Sequence, residues 1–294
     1  MTVSGEEFTH PYIVLRPSQH ARLRRYTVWM WATYIIGTLL AFAGAFSWLD
    51  VHAVLGQWHY HPIINEIASV TEKPGLRSLV YPVTLGAGIY LAIRRRDMHP
   101  PITAVWALIA TNAATGFMKL MTARPTPRQD RLHPEFFNGQ WLKLTDWVGI
   151  GAYPSGHTAN LGAAAALAVM AMFASRVRWR YLGTGVVAFV CLDVAVSSWA
   201  RDTHWVTDLV FGYVLGAACA MTTSLLTAEL PVQWRHPRYM GSTRLIVITG
   251  IVVTAGSFAI FAENSFLSNS NTSILIMVGA GYLAWRHRRS RRGR

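Results

Sequence analysis

Long apolar stretches, separated by short polar or basic segments, are the feature that most restricts how this chain can fold. About eight of them are long enough, or nearly so, to cross the ~30 Å hydrocarbon core of a bilayer as helices. They cover residues 26–49, 76–93, 102–121, 158–173, 181–199, 207–226, 245–261 and 273–285. Hydrophobic residues make up 52% of the 294 residues and charged residues only 14%, which is too little polar surface for a soluble globule. The sequence therefore predicts an all-α, polytopic membrane helical bundle.

Basic residues predict how the bundle is oriented. If the spans alternate in direction, the basic clusters before the first span, after the second, fourth and sixth, and at 286–294 all lie on one side. The positive-inside rule makes that side cytoplasmic, so both termini are expected in the cytoplasm. The net charge of +13 then reflects topology and attraction to anionic lipid headgroups, and no nucleic-acid partner is expected. We expect an integral protein of a bacterial plasma membrane, with the first span kept as an uncleaved anchor.

The composition divides the chain into one main domain and its flanks. We predict a cytoplasmic N-terminal segment over 1–25, a six-span core over 26–228, a connection and transmembrane hairpin over 229–285, and a basic cytoplasmic tail over 286–294. Cys191 and Cys219 both fall inside apolar spans, where a thiol behaves as a small hydrophobic group. They indicate neither a disulfide framework nor a metal site.

Two segments predicted to face outward carry residues suited to phosphoryl chemistry. Pro154, Ser155, Gly156 and His157 form a small-residue loop just before a span, and such a loop at a helix N-terminus binds phosphate through backbone N–H groups. Further along, Asp208 follows His204 by one helical turn. Its carboxylate can accept a hydrogen bond from one ring nitrogen and leave the other nucleophilic. A lone outward histidine is more often a headgroup-level residue, but this pairing favours a catalytic role.

The third and fifth spans each add polar residues that need interpretation. Asn112, Thr115 and Lys119 recur at helical spacing, and Arg124 follows shortly after them. Lys119 alone is explained by snorkelling to the headgroups, but further cations beside the P-S-G-H loop favour an anion site. Asp193 lies inside the fifth span, where acids are costly. Two readings of it stay open: pairing with Arg201 or Lys119, or a water-bonded carboxyl.

The P-S-G-H loop resembles the second motif of the type 2 phosphatidic acid phosphatase family, within the lipid phosphate phosphatase and haloperoxidase superfamily. His204-x-x-x-Asp208 resembles the end of the third motif, S-R-x5-H-x3-D. The likeness covers the first six spans, roughly 26–226, and leaves out the C-terminal hairpin. It implies a six-helix phosphatase-like core, with the site at the outer membrane face and lipids as partners.

The resemblance also implies roles for individual residues, in a two-step reaction without metal or other cofactor. His204 would form a phosphohistidine, with Asp208 orienting its ring. His157 would protonate the leaving oxygen and then activate water. Ser155, Gly156 and Lys119 would hold the equatorial oxygens of the phosphate.

Two arginines of the family pattern are missing or displaced. The first motif, K-x6-R-P, counted from Lys119, places Thr126 where arginine is expected, and Arg124 comes two residues early. The arginine of the third motif falls on Ser198, while Arg201 lies only three residues before His204.

Three interpretations follow from these departures. Arg124 and Arg201 substitute for the missing arginines, in a phosphatase acting on a phosphomonoester or diphosphate of a polyprenyl lipid or glycerolipid. Alternatively, the site transfers a phosphate-linked head group between lipid or sugar substrates. Finally, the chain is a catalytically inactive lipid-binding module. Because a structural bundle has no need of the His–His–Asp spacing, we rank the phosphatase first and the inactive module last.

Overall fold

A computed structural model describes residues 17–54, 62–95, 97–122, 124–127, 136, 152–174 and 178–230. Within these ranges the protein is entirely helical, as predicted. The α-helices are α1 (Pro17–Phe42), α2 (Ser47–Val54), α3 (Pro62–Thr71), α4 (Arg77–Arg95), α5 (His99–Thr122), α6 (Gly156–Ala174), α7 (Arg180–Ala200) and α8 (Val206–Ala228), with a 3₁₀ turn at Lys73–Gly75. The predicted C-terminal hairpin lies outside the described residues.

The helices are long and apolar enough for a membrane protein. Among the described residues five segments qualify as spans by length and composition, and a sixth is obtained if α1 and α2, bent by 81° at their junction, count as one. Large apolar side chains cover the outside of the bundle; Trp29 is 65% exposed, Phe189 70% and Ile93 74%. Such a surface is compatible with an integral membrane protein, in which these side chains face lipid.

Helices α6 and α8 form the centre of the bundle through very close packing. A Cβ atom on Gly216 of α8 would lie 1.9 Å from the carbonyl oxygen of Ala159 on α6. A Cβ atom on Gly162 of α6 would lie 2.8 Å from the carbonyl oxygen of Tyr213 on α8. Close backbone approach of this kind is how helices associate in lipid, where burial of apolar surface contributes little. Glycine at these positions therefore determines how α6 and α8 are placed.

Alternation of the long helices brings the polar segments to one end of the bundle. The C-terminal ends of α1, α5 and α7 and the N-terminal ends of α4, α6 and α8 meet there, together with α2 and α3. Cross-contacts hold this end together: the Ser155 N–H donates to the Asp208 carbonyl at 3.0 Å, and the Trp199 indole donates to the Ala53 carbonyl at 3.1 Å. The arginines that begin α1 lie at the opposite end of that helix.

Replacing Gly216 by alanine is expected to destabilise the bundle. The added methyl group meets helix backbone, which cannot rotate away, so we expect a loss of about 1–3 kcal/mol or more in unfolding free energy. Gly86→Ala is the matched control, because a Cβ atom there meets nothing within 4 Å. Thermal unfolding in detergent checks both variants, and equal melting temperatures would contradict the packing argument.

Candidate active site

The two histidines singled out in the sequence lie side by side at the polar end of the bundle. The ring centroids of His157, in the first turn of α6, and His204, just before α8, are 6.2 Å apart with an interplanar angle of 67°. His204 is only 7% exposed, whereas His157 is half-buried. Gly156 and the buried Ser155 precede His157 directly, so the whole P-S-G-H loop borders the pair.

His204 and Asp208 have the relationship that their spacing predicts. Asp208 Oδ2 lies 3.7 Å from His204 Nδ1, which is longer than a hydrogen bond but close enough to become one after a small shift. The same Oδ2 accepts the Trp205 N–H at 3.0 Å and so caps the N-terminus of α8. Asp208 is fully buried. Its carboxylate is thus fixed in place by the helix it begins, and His204 lies against it.

Arg124 holds the other oxygen of this carboxylate. Its Nη1 donates to Asp208 Oδ1 at 2.6 Å, and its Nη2 donates to Asp50 Oδ2, also at 2.6 Å. Asp50 in turn accepts the Thr207 N–H at 3.1 Å. Arg124 is 1% exposed, so it contacts Asp208 from the interior of the bundle and does not line the accessible side of the histidine pair. This differs from the phosphate-binding role expected for it, and Asp50 is a residue that the sequence analysis missed.

A second buried carboxylate, which the sequence analysis also missed, pairs with Arg201. Glu72, which follows α3 and is 3% exposed, forms an ion pair with the Arg201 guanidinium. Ser198, at the position of the third-motif arginine, donates its hydroxyl to Glu72 Oε1 at 2.9 Å. Glu72 and His157 also interact electrostatically. Arg201 therefore reaches the edge of the site as one half of an ion pair.

One more arginine borders the site, and it comes from α4. Arg77 is the first residue of that helix, and its Nη2 lies 3.8 Å from the place that a Cβ atom on Gly156 would occupy. It interacts electrostatically with His157 and with Lys119, at the end of α5. The sequence did hold a signal: Arg77 begins its apolar span, at the end opposite the basic cluster at 94–96.

Polar residues below the P-S-G-H loop brace it from inside the bundle. Asn160 donates to the Gly156 carbonyl at 2.9 Å and accepts from the Asn112 amide at 3.1 Å. The predicted polar stripe on α5 thus reaches the loop through Asn112. Tyr153, just before the loop, hydrogen-bonds Thr38 of α1, and burial raises the pKa of its phenol, so the hydroxyl stays neutral.

Thr126 and Asp193 are the remaining predicted site residues. Thr126 is half-buried in the segment after α5. Asp193 is half-buried on α7 and interacts electrostatically with Tyr213 of α8. The carboxylate that pairs with Arg201 in the structure is Glu72. In the part of the chain that is described, no cluster of three or more His, Cys, Asp or Glu side chains is arranged to hold a metal ion.

Replacing Arg124 is expected to lower the free energy of unfolding far more than replacing a surface arginine. Arg124→Gln leaves two buried carboxylates without their counter-ion, so we expect unfolding free energy to fall by about 3–5 kcal/mol. Adding Asp50→Asn should recover part of this loss, because one of the two uncompensated charges is then gone. Arg178→Gln, at an exposed turn before α7, is the control. A double variant less stable than Arg124→Gln would contradict the charge argument.

Comparison with known proteins gives one family match. The family model described as PAP2 superfamily matches residues 100–230. Neither the curated proteins nor the solved structures contain a significant match to the chain. The matched segment runs from α5 to the end of α8 and contains the P-S-G-H loop, His204 and Asp208, whereas Asp50, Glu72 and Arg77 precede it. Residues 100–230 thus match the PAP2 superfamily, whose members are typically phosphohydrolases.

Proposed function

We propose that this protein is a membrane phosphohydrolase that removes phosphate from a lipid phosphomonoester or diphosphate through a phosphohistidine on His204. One observation carries the proposal: the His204 ring lies between Asp208 Oδ2, 3.7 Å from its Nδ1, and the His157 ring, 6.2 Å away between centroids. The family match supplies the reaction class. The geometry supports His204 as the nucleophile, Asp208 as the carboxylate that orients it, and His157 as the second histidine for proton transfer.

In the first step, His204 Nε2 attacks phosphorus while the bond from phosphorus to the lipid oxygen breaks. Asp208 accepts a hydrogen bond from Nδ1–H and so balances the positive charge that develops on the ring. Protonated His157 gives its proton to the leaving oxygen, which departs as an alcohol or, from a diphosphate, as a phosphate. The backbone N–H groups at the start of α6 and the Lys119 ammonium stabilise the equatorial oxygens.

In the second step, water breaks the phosphorus–nitrogen bond. His157, now neutral, takes a proton from water as the water oxygen attacks phosphorus, and the electron pair of the breaking bond returns to His204 Nε2. Inorganic phosphate leaves, and both histidines regain their starting protonation. The half-buried position of His157 suits this exchange of lipid alcohol for water, since one side of its ring remains accessible.

Charge distribution supports a site on the outer side of the membrane. The basic cluster at the start of α1 lies at the helix end remote from the histidines, and the exposed Arg178 also lies at the far end of its helix. The positive-inside rule assigns such clusters to the cytoplasm. We therefore propose an extracytoplasmic site with cytoplasmic termini.

An apolar cavity supports a lipid substrate. A space of about 630 Å³ opens between α1 and α4–α7, and it is lined mainly by aliphatic side chains. Its α6 wall begins at Leu161, one helical turn after His157, and includes Ala164 and Ala168. The hydrocarbon chain of a phosphate held at His157 would reach the cavity at its Leu161 end. From there the cavity extends to the opposite end of the bundle, where its lining includes Arg22, His99 and Ala174. The cavity has a size typical of ligand pockets.

Transfer to an alcohol is the second candidate. Thr126 and Ser198 stand at the positions where the family pattern that the chain resembles has arginines. A site with fewer guanidinium groups binds a doubly charged phosphomonoester less well, and so suits a singly charged, phosphate-linked head group passed from one lipid to another. The two candidates use different acceptors, water or an alcohol, so product analysis with and without added alcohols separates them.

The proposed intermediate gives a direct test of the mechanism. The purified full-length protein in detergent is expected to release phosphate from lipid phosphates and from p-nitrophenyl phosphate, and His204→Gln should reduce both by at least about 10³-fold. In His157→Gln the first step should still occur with p-nitrophenyl phosphate, because nitrophenolate leaves without needing a proton. The phosphohistidine should then hydrolyse slowly, because no base activates the water. Radiolabelled phosphate should then accumulate on His204 in an acid-labile, base-stable form.

The outcomes of this experiment separate the alternatives. Phosphate release that survives His204→Gln overturns the phosphohistidine. Label recovered in a phosphate ester of the added alcohol, in place of free phosphate, supports the transferase. A folded wild-type protein that neither releases nor transfers phosphate supports the inactive binding module.

Filling the cavity provides a test of the lipid assignment. Ala164→Trp should lower kcat/KM for a long-chain lipid phosphate by about tenfold or more, because burial of several CH₂ groups is lost at ~0.8 kcal/mol each. Activity on p-nitrophenyl phosphate should stay unchanged, since that substrate does not need the cavity. Ala188→Trp, on the lipid-facing side of α7 and outside the cavity, is the matched control. Equal losses on both substrates would count against the cavity as the chain-binding site.

A further inference from the structure

We propose that Glu72 is a positioning residue for His204: its carboxylate holds the turn that leads into the proposed nucleophile and so sets the place of His204 relative to His157. The inference rests on the proposed function. It starts from one set of contacts, in which a single buried carboxylate meets three side chains of the segment 198–203, between α7 and His204. Glu72 precedes the family match, which begins at residue 100.

The three contacts use both oxygens of the Glu72 carboxylate. Ser198 donates its hydroxyl to Oε1 at 2.9 Å, and Thr203 Oγ1 lies 3.4 Å from the same oxygen. Arg201 donates from Nη1 to Oε2. Since Thr203 directly precedes His204, the carboxylate holds the chain on the N-terminal side of the proposed nucleophile.

The backbone of this segment makes a tight turn that contains a strained residue. Asp202 has a φ of 54°, in the left-handed region that glycine usually occupies at the end of a helix. The N–H groups of residues 202 and 203 close the turn by donating to carbonyls of α7, at 3.0 and 3.2 Å. Such a conformation persists only where surrounding contacts enforce it. Glu72 supplies contacts of that kind, because it meets the residues on both sides, Arg201 and Thr203.

A separate set of contacts holds the chain on the other side of His204. Asp208 accepts the Trp205 N–H at 3.0 Å, and the Trp205 indole donates to the Pro125 carbonyl at 2.7 Å. These contacts fix the chain after His204, whereas those of Glu72 fix the chain before it. The position of the His204 ring therefore depends on two buried carboxylates.

The turn that begins with Glu72 also lies against the other histidine. Gly75 ends this turn, and a Cβ atom on it would lie 3.2 Å from His157 Cβ, closer than such atoms normally approach. The Gly75 N–H donates to the Glu72 carbonyl at 2.9 Å, so the two residues belong to one hydrogen-bonded turn. That turn thus meets His157 through Gly75 and the segment before His204 through Glu72. A fixed distance between the two histidines follows from these two contacts.

The rate at which the phosphohistidine forms tests this role. The parent is the full-length His157→Gln protein in detergent, in which label from radiolabelled p-nitrophenyl phosphate should accumulate. Adding Glu72→Gln is expected to lower the rate constant of labelling at saturating substrate by about 10- to 100-fold, because a misplaced nucleophile reacts slowly. The final level of label should stay unchanged, since His204 is still present. A purely structural role predicts the reverse, because loss of folded protein lowers the final level and leaves the rate constant unchanged.

Two further variants in the same parent control for folding. Thr71→Val is the matched control, because Thr71 also joins the end of α3 to α7, through a hydrogen bond of 2.6 Å between its hydroxyl and that of Ser197. It should label at the parent rate. Ser198→Ala removes one contact of Glu72 and leaves the ion pair with Arg201 intact, so it tests the proposal even if Glu72→Gln does not fold. Its labelling should be slower than the parent's by about threefold or more.

The other outcomes separate this inference from the proposed function. Labelling at the parent rate in Glu72→Gln, or in Ser198→Ala where Glu72→Gln does not fold, overturns the positioning role and leaves the His204 mechanism standing. Equal slowing in Thr71→Val assigns the effect to a general loosening of α3 against α7, which also overturns it. Absence of label in the His157→Gln parent removes the phosphohistidine itself, and this inference with it.

Discussion

The active end of the bundle depends on a buried ionic cluster in which Arg124 joins Asp50 to Asp208. Each terminal nitrogen of the guanidinium donates to one carboxylate at 2.6 Å. Asp208 also caps α8, lies against His204, and accepts the Ser155 N–H at its backbone carbonyl. Arg124, which follows α5, therefore joins α2 to the start of α8. Through Asp208 it is also connected to the P-S-G-H loop. Because burying three charges costs free energy, the complete cluster adds little to the free energy of unfolding. Removing one partner lowers the free energy of unfolding strongly, because it leaves a buried charge uncompensated. That asymmetry keeps Asp208 in a single position.

The helices outside the family match supply support and charge, while those inside it supply the proposed reacting groups. Residues 100–230 carry both histidines and the aspartate. The earlier helices contribute Asp50, which anchors Arg124, and Glu72, which pairs with Arg201. Carboxylates from α2 and from the turn after α3 thus meet Arg124 and Arg201.

Close packing of α6 on α8 sets the spacing of the proposed catalytic pair. His157 begins α6 and His204 precedes α8, so the distance between their rings depends on where the two helix backbones cross. Glycine at 162 and 216 allows backbone atoms to approach to van der Waals contact, and a methyl group at residue 216 has no room. Below this contact α6 turns its small residues toward the apolar cavity. One helix thus links the anion-binding loop to a space suited to a hydrocarbon chain.

The sequence by itself determined the features that depend on the spacing of nearby residues along the chain. Apolar stretches of helical length predicted α1 and α4–α8, and the four-residue spacing of His204 and Asp208 predicted their contact, because one helical turn brings such residues together. Only the tertiary structure decided which carboxylates meet which arginines. Arg124 and Asp50 are 74 residues apart in sequence, and Arg201 and Glu72 are 129 apart. Such pairs arise from helix packing and from the 81° bend between α1 and α2, and neither periodicity nor motif spacing contains that information. The rule that acids inside a membrane are costly pointed to Asp193, but choosing among Asp193, Asp50 and Glu72 required the arrangement of the helices in space.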